Sequence, residues 1–313
     1  MKMEIIKTLK HSKESTSTAL GFFDGVHSGH ASVIAEAVSY AKQNHLVPAV
    51  FTTQQIPRSV LNNEMIGSIT TLDEKLAAFE GLGIERVYIL DFREIMHITA
   101  EDFVRDILLG CFNARHAVCG FNYHFGSGGK GSGSTLSDLC RQYDITVTTQ
   151  HRIGFEGLPV SSTRIRNAVA SGDIPNVNKM LGRRYGFRLP VIHGRQLGRT
   201  IGIPTLNQKF PDGLIVPPFG AYATSVTVDG KEYCGVTDIG VKPTVGSDCV
   251  LIETWLPDYC GRDLYGEILD IRFLSFIRPE KKFDSLTSLQ SEILKNAETA
   301  RIIHNCPVGN RKK

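Results

Sequence analysis

The sequence predicts two domains, an α/β domain built on a parallel sheet followed by an antiparallel β-barrel with a terminal helix. Three observations carry that reading. Residues 1 to about 183 alternate short apolar runs with amphipathic stretches of helical spacing, the rhythm of a parallel sheet covered on both faces. From about Phe187, β-rich segments follow one another without helical crossovers, as antiparallel strands do. A single helical pattern, roughly Leu286–Ile303, closes the chain. A length of 313 residues suits two domains better than one, and the change of rhythm at LGRRYGFR (181–188) divides them into 1–184 and 185–313.

In the first domain the runs Ala19–Phe23, Val47–Phe51, Arg86–Leu90, Ala117–Cys119 and Ile145–Thr149 read as strands. Between the first two, Ala31–Gln43 carries Val33, Ile34, Ala37, Val38 and Ala41 at helical spacing. Leu72–Leu82 and Ala100–Phe112 are further helices, the second led by Thr99 and Asp102 in capping positions. FGSGGKGSGS (125–134) is the nearest approach to a low-complexity tract. In the second domain the strands are Leu189–His193, Tyr222–Val228, Lys231–Val236, Val250–Trp255 and Ile268–Phe276. Asp229-Gly230, between two of them, is a hairpin signal.

Composition narrows the function classes. A net charge of +3 is too small to argue for nucleic acid or an anionic membrane as the main partner, and Arg311–Lys313 reads as a frayed basic terminus. No run of about 18 apolar residues predicts a membrane span. The N-terminus MKMEIIKTLKHSKES has no apolar core with a small-residue cleavage site, which argues against secretion. Seven cysteines, an odd number without a C-x-x-C pair, point to reduced thiols and a cytoplasmic protein. The oligomeric state is not legible.

Ligands of a parallel sheet lie beyond the carboxyl ends of its strands. GFFDGVHSGH (21–30) and CGFNYHFGSGG (119–129) both follow strand-like runs and fall at that rim. In the first, His27 and His30 stand at a turn that opens a helix. Zinc would require further ligands, and only Asp24 is nearby. Phosphate is the better fit, because a helix N-terminus offers free N–H groups and a positive dipole end, and Gly29 permits close backbone approach. Alone, the pair reads equally well as polar turn residues. VSSTRIR (160–166) supplies a second helix start, with N-cap hydroxyls at Ser161, Ser162 and Thr163 and the charges of Arg164 and Arg166.

GFFDGVHSGH, GFNYHFG (120–126) and SSTRIR (161–166) together resemble the signature segments of prokaryotic FAD synthetases, members of the H-x-G-H nucleotidyltransferase superfamily. HGRQLGRTIGIPTLN (193–207), GAYA (220–223), DIGVKPT (238–244), IETW (252–255) and DLYGEILDIRF (263–273) are similar to the riboflavin kinase module fused to that synthetase. The resemblance implies a Rossmann-like transferase domain and a riboflavin-kinase-like barrel. It implies two reactions, ATP-dependent phosphorylation of riboflavin to FMN and adenylylation of FMN to FAD with release of pyrophosphate. Its substrates and products are ATP, riboflavin, FMN and FAD, and its cofactor Mg²⁺.

In the first domain the resemblance assigns His27, His30 and Arg166 to catalysis. It places Gly21, Phe23, Asp24, Gly29, Asn122, Ser162, Thr163 and Arg164 around the ATP phosphates. For Asp24 the choice between magnesium and the turn itself stays open. In the second domain Thr205 and Asn207 of PTLN would hold Mg²⁺, whose oxygen preference a hydroxyl and an amide satisfy. Gly194, Gly198 and Gly202 would form a loop over the phosphates, and Arg278 would contact flavin. Glu253 would be the general base that takes the proton of the riboflavin 5′-hydroxyl.

The sequence also departs from the family. FTTQQIPRSV (51–60) replaces a D-P-H-P-like segment, so an acid and a histidine are missing. In the second domain Asp238 stands for Asn, Lys242 for Arg, Val245 for Phe and Asn296 for Asp. These departures keep two alternatives in view, a transferase with a weak or inactive kinase-like barrel and a non-catalytic flavin sensor.

Overall fold

The computed structural model describes residues 3–194, 197–244 and 247–305. Val245 and the tail Arg311–Lys313 lie outside them, as does the side chain of Lys242. Contacts divide the chain into two compact units, Met1–Ser162 and Thr163–Lys313.

The first unit is built on β1 (Glu4–Ile6), β2 (Thr16–Leu20), β3 (Val47–Thr53), β4 (Arg86–Leu90), β5 (Ala114–Gly120) and β6 (Thr146–Gln150). Their order is β1-β4-β3-β2-β5-β6, and every pairing is parallel. Successive residues of each strand serve opposite faces. Ala19, Val50 and Val87 pack with Val33, Ile34, Ala37 and Val38 of the helix Ser28–Gln43 and with Phe79 of the helix Leu72–Gly81. Their neighbours Leu20, Phe51 and Tyr88 pack on the other face with Phe103, Val104, Ile107 and Leu136.

β2 sits three residues earlier than its apolar run suggested. Its polar start is buried but satisfied, with Thr16 Oγ1 and Thr18 Oγ1 2.8 Å apart and Ser17 Oγ 2.9 Å from His116 Nδ1. Burial lowers the His116 pKa to about 4, so its ring stays neutral at physiological pH. Phe22 and Phe23 leave the strand and form the turn beyond it.

Thr99 does cap a helix, accepting the Asp102 N–H at 3.0 Å, but after Ala100–Asp102 the coil widens to π geometry over Phe103–Cys111. The glycine-rich tract is an ordered loop in which Phe125 pairs with Gly131, and Ser132 caps a helix, Gly133–Arg141. A two-stranded hairpin, β7 (Gly154–Phe155) and β8 (Leu158–Pro159), precedes the helix Ser162–Ala170.

The second unit holds β9 (Tyr185–Pro190), β10 (Thr205–Lys209), β11 (Gly220–Val228), β12 (Lys231–Thr244), β13 (Ser247–Trp255) and β14 (Ile268–Pro279). All pairings are antiparallel, in the order β10-β13-β12-β11-β14-β9. Asp229 and Gly230, both at positive φ, make the hairpin turn between β11 and β12. The edge strands approach each other through a bridge between Ile192 and Asn207 and through the Gln208 amide, which donates to the Leu189 carbonyl at 2.7 Å. The sheet therefore curls toward a barrel. The helix Leu286–Asn305 covers it with Ala297 and Ala300 against Ala223, Cys234, Val236 and Leu274.

Contacts place Thr163–Arg184 with the second unit, whereas the sequence reading divided the chain at 184/185. The physical reason is the helix Ile174–Leu181, which buries Ile174, Val177, Met180 and Leu181 and packs on β14 and β9. Its Asn178 accepts the Tyr185 N–H at 2.6 Å and donates to the Phe273 carbonyl at 2.9 Å. Burying such side chains contributes roughly 1.5–3 kcal/mol each. A fragment 163–313 is therefore expected to melt more than about 10 °C above a fragment 185–313. Thermal unfolding of the two purified fragments checks this, and equal midpoints would show that the helix adds nothing to the barrel.

Candidate active sites

In the first unit the chain runs from β2 to β3 and β4 on one side of the sheet, whereas β5 and β6 lie on the other. The crevice between the carboxyl ends of β2 and β5 is thus the topological switch point, where open parallel sheets bind ligands. The loop after β2 carries the H-x-G-H residues, and the loop after β5 carries Asn122.

The β2 loop is a strained turn. Phe23, Gly25 and Val26 all have positive φ, at 56°, 77° and 39°. For a β-branched residue such as Val26 this is a true outlier, costing on the order of 1–3 kcal/mol, so the surroundings must hold it. They do so at several points. Gly21 N–H donates to the Phe51 carbonyl at 3.2 Å. Both carboxylate oxygens of Asp24, which is 3 % exposed, take the Ile69 N–H, at 3.0 and 3.2 Å. Ser162 Oγ donates to the Asp24 carbonyl at 3.0 Å. The Asp24 carboxylate thus braces the turn.

The turn delivers His27 as the N-cap of the helix Ser28–Gln43. His27 Nδ1 accepts the His30 N–H at 3.2 Å, which leaves the ring proton on Nε2. The two imidazoles stack with centroids 3.6 Å apart, and Phe23 meets His30 edge-on at 5.3 Å. A side chain on Gly29 would come within 3.2 Å of the His27 ring. Glycine here thus makes room for the imidazole.

Asn122 is exposed just past β5, on a turn closed by the Tyr123 N–H to the Gly120 carbonyl at 3.0 Å. Thr163, Arg164 and Arg166 follow Ser162 in its helix, in the second compact unit, with Thr163 exposed and both arginines half-buried. Where the family segment would put its acid and histidine, Thr53 Oγ1 donates to the Gln55 carbonyl at 2.8 Å, and Gln55 Oε1 accepts the Phe92 N–H at 3.0 Å. Gln55 thereby ties the loop after β3 to the loop after β4.

In the second unit the strand ladder assembles the site. Asn207 of β10 and Asp238 of β12 both lie directly opposite Glu253 of β13. Residues opposite one another in such pairs share a face, and Thr205, two positions from Asn207, shares it too. Asn207 is 5 % exposed, and its Oδ1 has no hydrogen-bond partner. A Cβ on Gly194 would lie 2.6 Å from that amide, so the glycine lets the backbone of its loop pass over Asn207. Gly198 accepts the Ile203 N–H at 2.8 Å after the helical turn Leu197–Thr200, and Gly202 donates to the Arg199 carbonyl at 3.2 Å.

A cleft of about 110 Å³ opens beside Thr205, lined also by Arg199, Tyr259, Asp263 and Tyr265. Arg199 reaches Asp263 at 2.7 Å and the Tyr265 hydroxyl at 3.3 Å, and His193 stacks on the Tyr265 ring at 3.9 Å. Their pairing spans more than 60 residues of chain and has no periodic signature in the sequence. Arg278 is 3.3 Å from Glu292 of the terminal helix, and Asn296, its amide oxygen turned toward Arg278, accepts from it at 3.2 and 3.3 Å. Asparagine there keeps the contact without the charge of an aspartate.

Comparison with known proteins follows the same division. The FAD synthetase family model matches residues 9–164, and the riboflavin kinase family model matches residues 181–304. The bifunctional riboflavin kinase/FMN adenylyltransferase of Bacillus subtilis is 36% identical over 299 residues, 93% of each chain. The Listeria monocytogenes protein of the same name is 33% identical over 90% of each, and that of Escherichia coli K12 is 30% identical over 92% of this chain and 93% of its own. A solved structure from Streptococcus pneumoniae, described as a macrolide-efflux protein, matches with a TM-score of 0.85 at 29% identity, covering 96% of this chain and 99% of its own. Among the described residues of this chain no helix is long and apolar enough to cross a membrane.

Proposed function

The chain belongs to the bifunctional riboflavin kinase/FMN adenylyltransferase family, and from that premise we infer that it makes FMN from riboflavin and ATP, and FAD from FMN and a second ATP. One observation carries the assignment of chemistry to place: each family match covers its own set of site residues, the H-x-G-H turn at a switch point in one and the Asn207–Glu253 pair in the other.

Adenylyl transfer needs no protein nucleophile, because the FMN phosphate attacks the α-phosphorus of ATP in line and pyrophosphate leaves. The protein's task is positioning and charge stabilisation. His27, proton on Nε2, and the free N–H groups at the start of its helix are set to donate to phosphate oxygens. His30, stacked on His27, would hold the phosphates with it, and Asn122 would contact the nucleotide from the loop after β5. The resemblance gives Ser162, Thr163 and Arg166 the part of stabilising charge on the departing pyrophosphate.

In the second unit Glu253 takes the proton of the riboflavin 5′-hydroxyl as its oxygen attacks the γ-phosphorus, and ADP leaves. The unpartnered Oδ1 of Asn207 and the Thr205 hydroxyl fit a hard cation that prefers oxygen, and these two residues would hold Mg²⁺. When bound, Mg²⁺ neutralises phosphate charge. The loop bearing Gly194, Gly198 and Gly202 and the cleft beside Thr205 receive the nucleotide. Arg278, braced by Glu292 and Asn296, stands on the flavin side. Incubating the purified protein with riboflavin, ATP and Mg²⁺ and resolving the products tests the reading. FMN and FAD together support it, whereas bound flavin without turnover would make the protein a sensor.

A weaker kinase is the second reading, and one geometry favours it. Asp238 puts another carboxylate directly opposite Glu253 in the ladder, where the family has asparagine, and like charges so placed repel. Asp238→Asn is expected to raise the rate of riboflavin phosphorylation severalfold. An unchanged or lower rate in the steady-state assay would show that Asp238 supports the site as it is.

A further inference from the structure

Behind the H-x-G-H turn lies a buried cation to which the two reactions above give no role. Lys75, in the helix Leu72–Gly81, is 6 % exposed. Its Nζ donates to the Phe22 carbonyl at 2.8 Å and to Thr52 Oγ1 at 3.0 Å, and lies 4.3 Å from the centroid of the Phe22 ring. Thr52 Oγ1 donates to the same carbonyl at 2.7 Å. Phe22 immediately precedes Phe23, the first of the three positive-φ residues of the strained turn, so its carbonyl is the point at which that turn is anchored. A helix and a strand grip that oxygen together.

The arrangement is costly as packing. Burial lowers the Lys75 pKa to about 8, with the Asp24 carboxylate pulling the other way. An apolar side chain of similar length would fill the space without burying a charge, and buried ions replaced in this way commonly leave a fold as stable or more so. A scaffold role does not explain a lysine here. The orientation of its ammonium does.

We propose that Lys75 is a positioning residue for adenylyl transfer, holding the Phe22 carbonyl so that the strained turn presents His27 and the helix N-terminus to the nucleotide phosphates. The proposal rests on reading the first unit as an FMN adenylyltransferase. It touches neither substrate nor reacting atoms. Its effect is geometric, and a displacement of about 1 Å at a reacting centre costs on the order of 100-fold in rate.

The test is Lys75→Met in the full chain. FAD formation from FMN should fall about 30-fold or more in kcat and kcat/KM alike, the pattern of an interaction that matters in the transition state. The thermal midpoint should hold or rise, and riboflavin phosphorylation should stay within about twofold of wild type. Lys75→Gln, which keeps a donor, should recover part of the loss. Stability and activity falling together, or a folded Lys75→Met variant within about threefold of wild type, would overturn the proposal. If Lys75→Met does not fold, Thr52→Val carries the test, with a fall of about tenfold expected and a wild-type rate fatal. Wild-type protein that makes no FAD from FMN would fail the functional reading itself, an outcome separate from any behaviour of the variants.

Discussion

His30→Ala is expected to lower FAD formation from FMN by about 100-fold or more while riboflavin phosphorylation continues at the wild-type rate. The size follows from the chemistry, since removing one preorganised group that stabilises developing charge typically costs about 10²–10³ in turnover. The selectivity follows from the proposed assignment, in which Thr205, Asn207 and Glu253 serve the kinase reaction and lie in the other unit, within the riboflavin kinase match. The fold should survive. The cap bond to His27 Nδ1 comes from the backbone N–H of residue 30, which alanine retains, and alanine is the best helix former. The ring removed is the one stacked 3.6 Å from His27, so the variant loses both a donor and the support of its neighbour. Separate assays of FAD formed from FMN and of FMN formed from riboflavin read the result. Loss of both activities in a folded variant would mean that the two reactions share a site.

Much of this was legible because it is local. β4 falls where its apolar run placed it, and the helix Ser28–Gln43 buries the residues its spacing marked. The Asp229-Gly230 hairpin needs only two residues to declare itself. β2 begins ahead of its apolar run because Thr16, Ser17 and Thr18, though polar, are buried by partners about 100 residues away, such as Phe112 and His116. The helix Gly133–Arg141 was hidden by the glycines before it, and its cap, Ser132, belongs to the same tract. At the sites, residue types were readable but their work was not. Asp24 braces the turn through the Ile69 N–H and Gly29 makes room for the His27 ring, contacts that no spacing in the sequence announces. Lys75 has no motif at all. Its meaning arises only when helix, strand and turn meet at one carbonyl oxygen.

Glu253→Gln should lower riboflavin phosphorylation to about 0.1% of the wild-type rate, while FAD formation from supplied FMN is unchanged. Glutamine keeps the size of the side chain and its place opposite Asn207, so the ladder Asn207–Glu253–Asp238 and the seat formed by Thr205 and Asn207 persist. What it cannot do is accept the hydroxyl proton. General bases contribute typically about 10²–10⁴-fold, and no other part of the proposed scheme supplies one. Because binding elements remain, the loss belongs in kcat, with KM for ATP moved little. It also replaces one of the two facing carboxylates, which relieves repulsion with Asp238, so a fall in activity cannot be ascribed to a less stable strand pair. Initial rates of FMN formation at saturating riboflavin, ATP and Mg²⁺ decide the matter. A variant that keeps a third or more of the wild-type rate would show that the hydroxyl loses its proton without Glu253. Wild-type protein that forms FAD from FMN but no FMN from riboflavin would mean that the barrel no longer phosphorylates, and that this chain works as an adenylyltransferase alone.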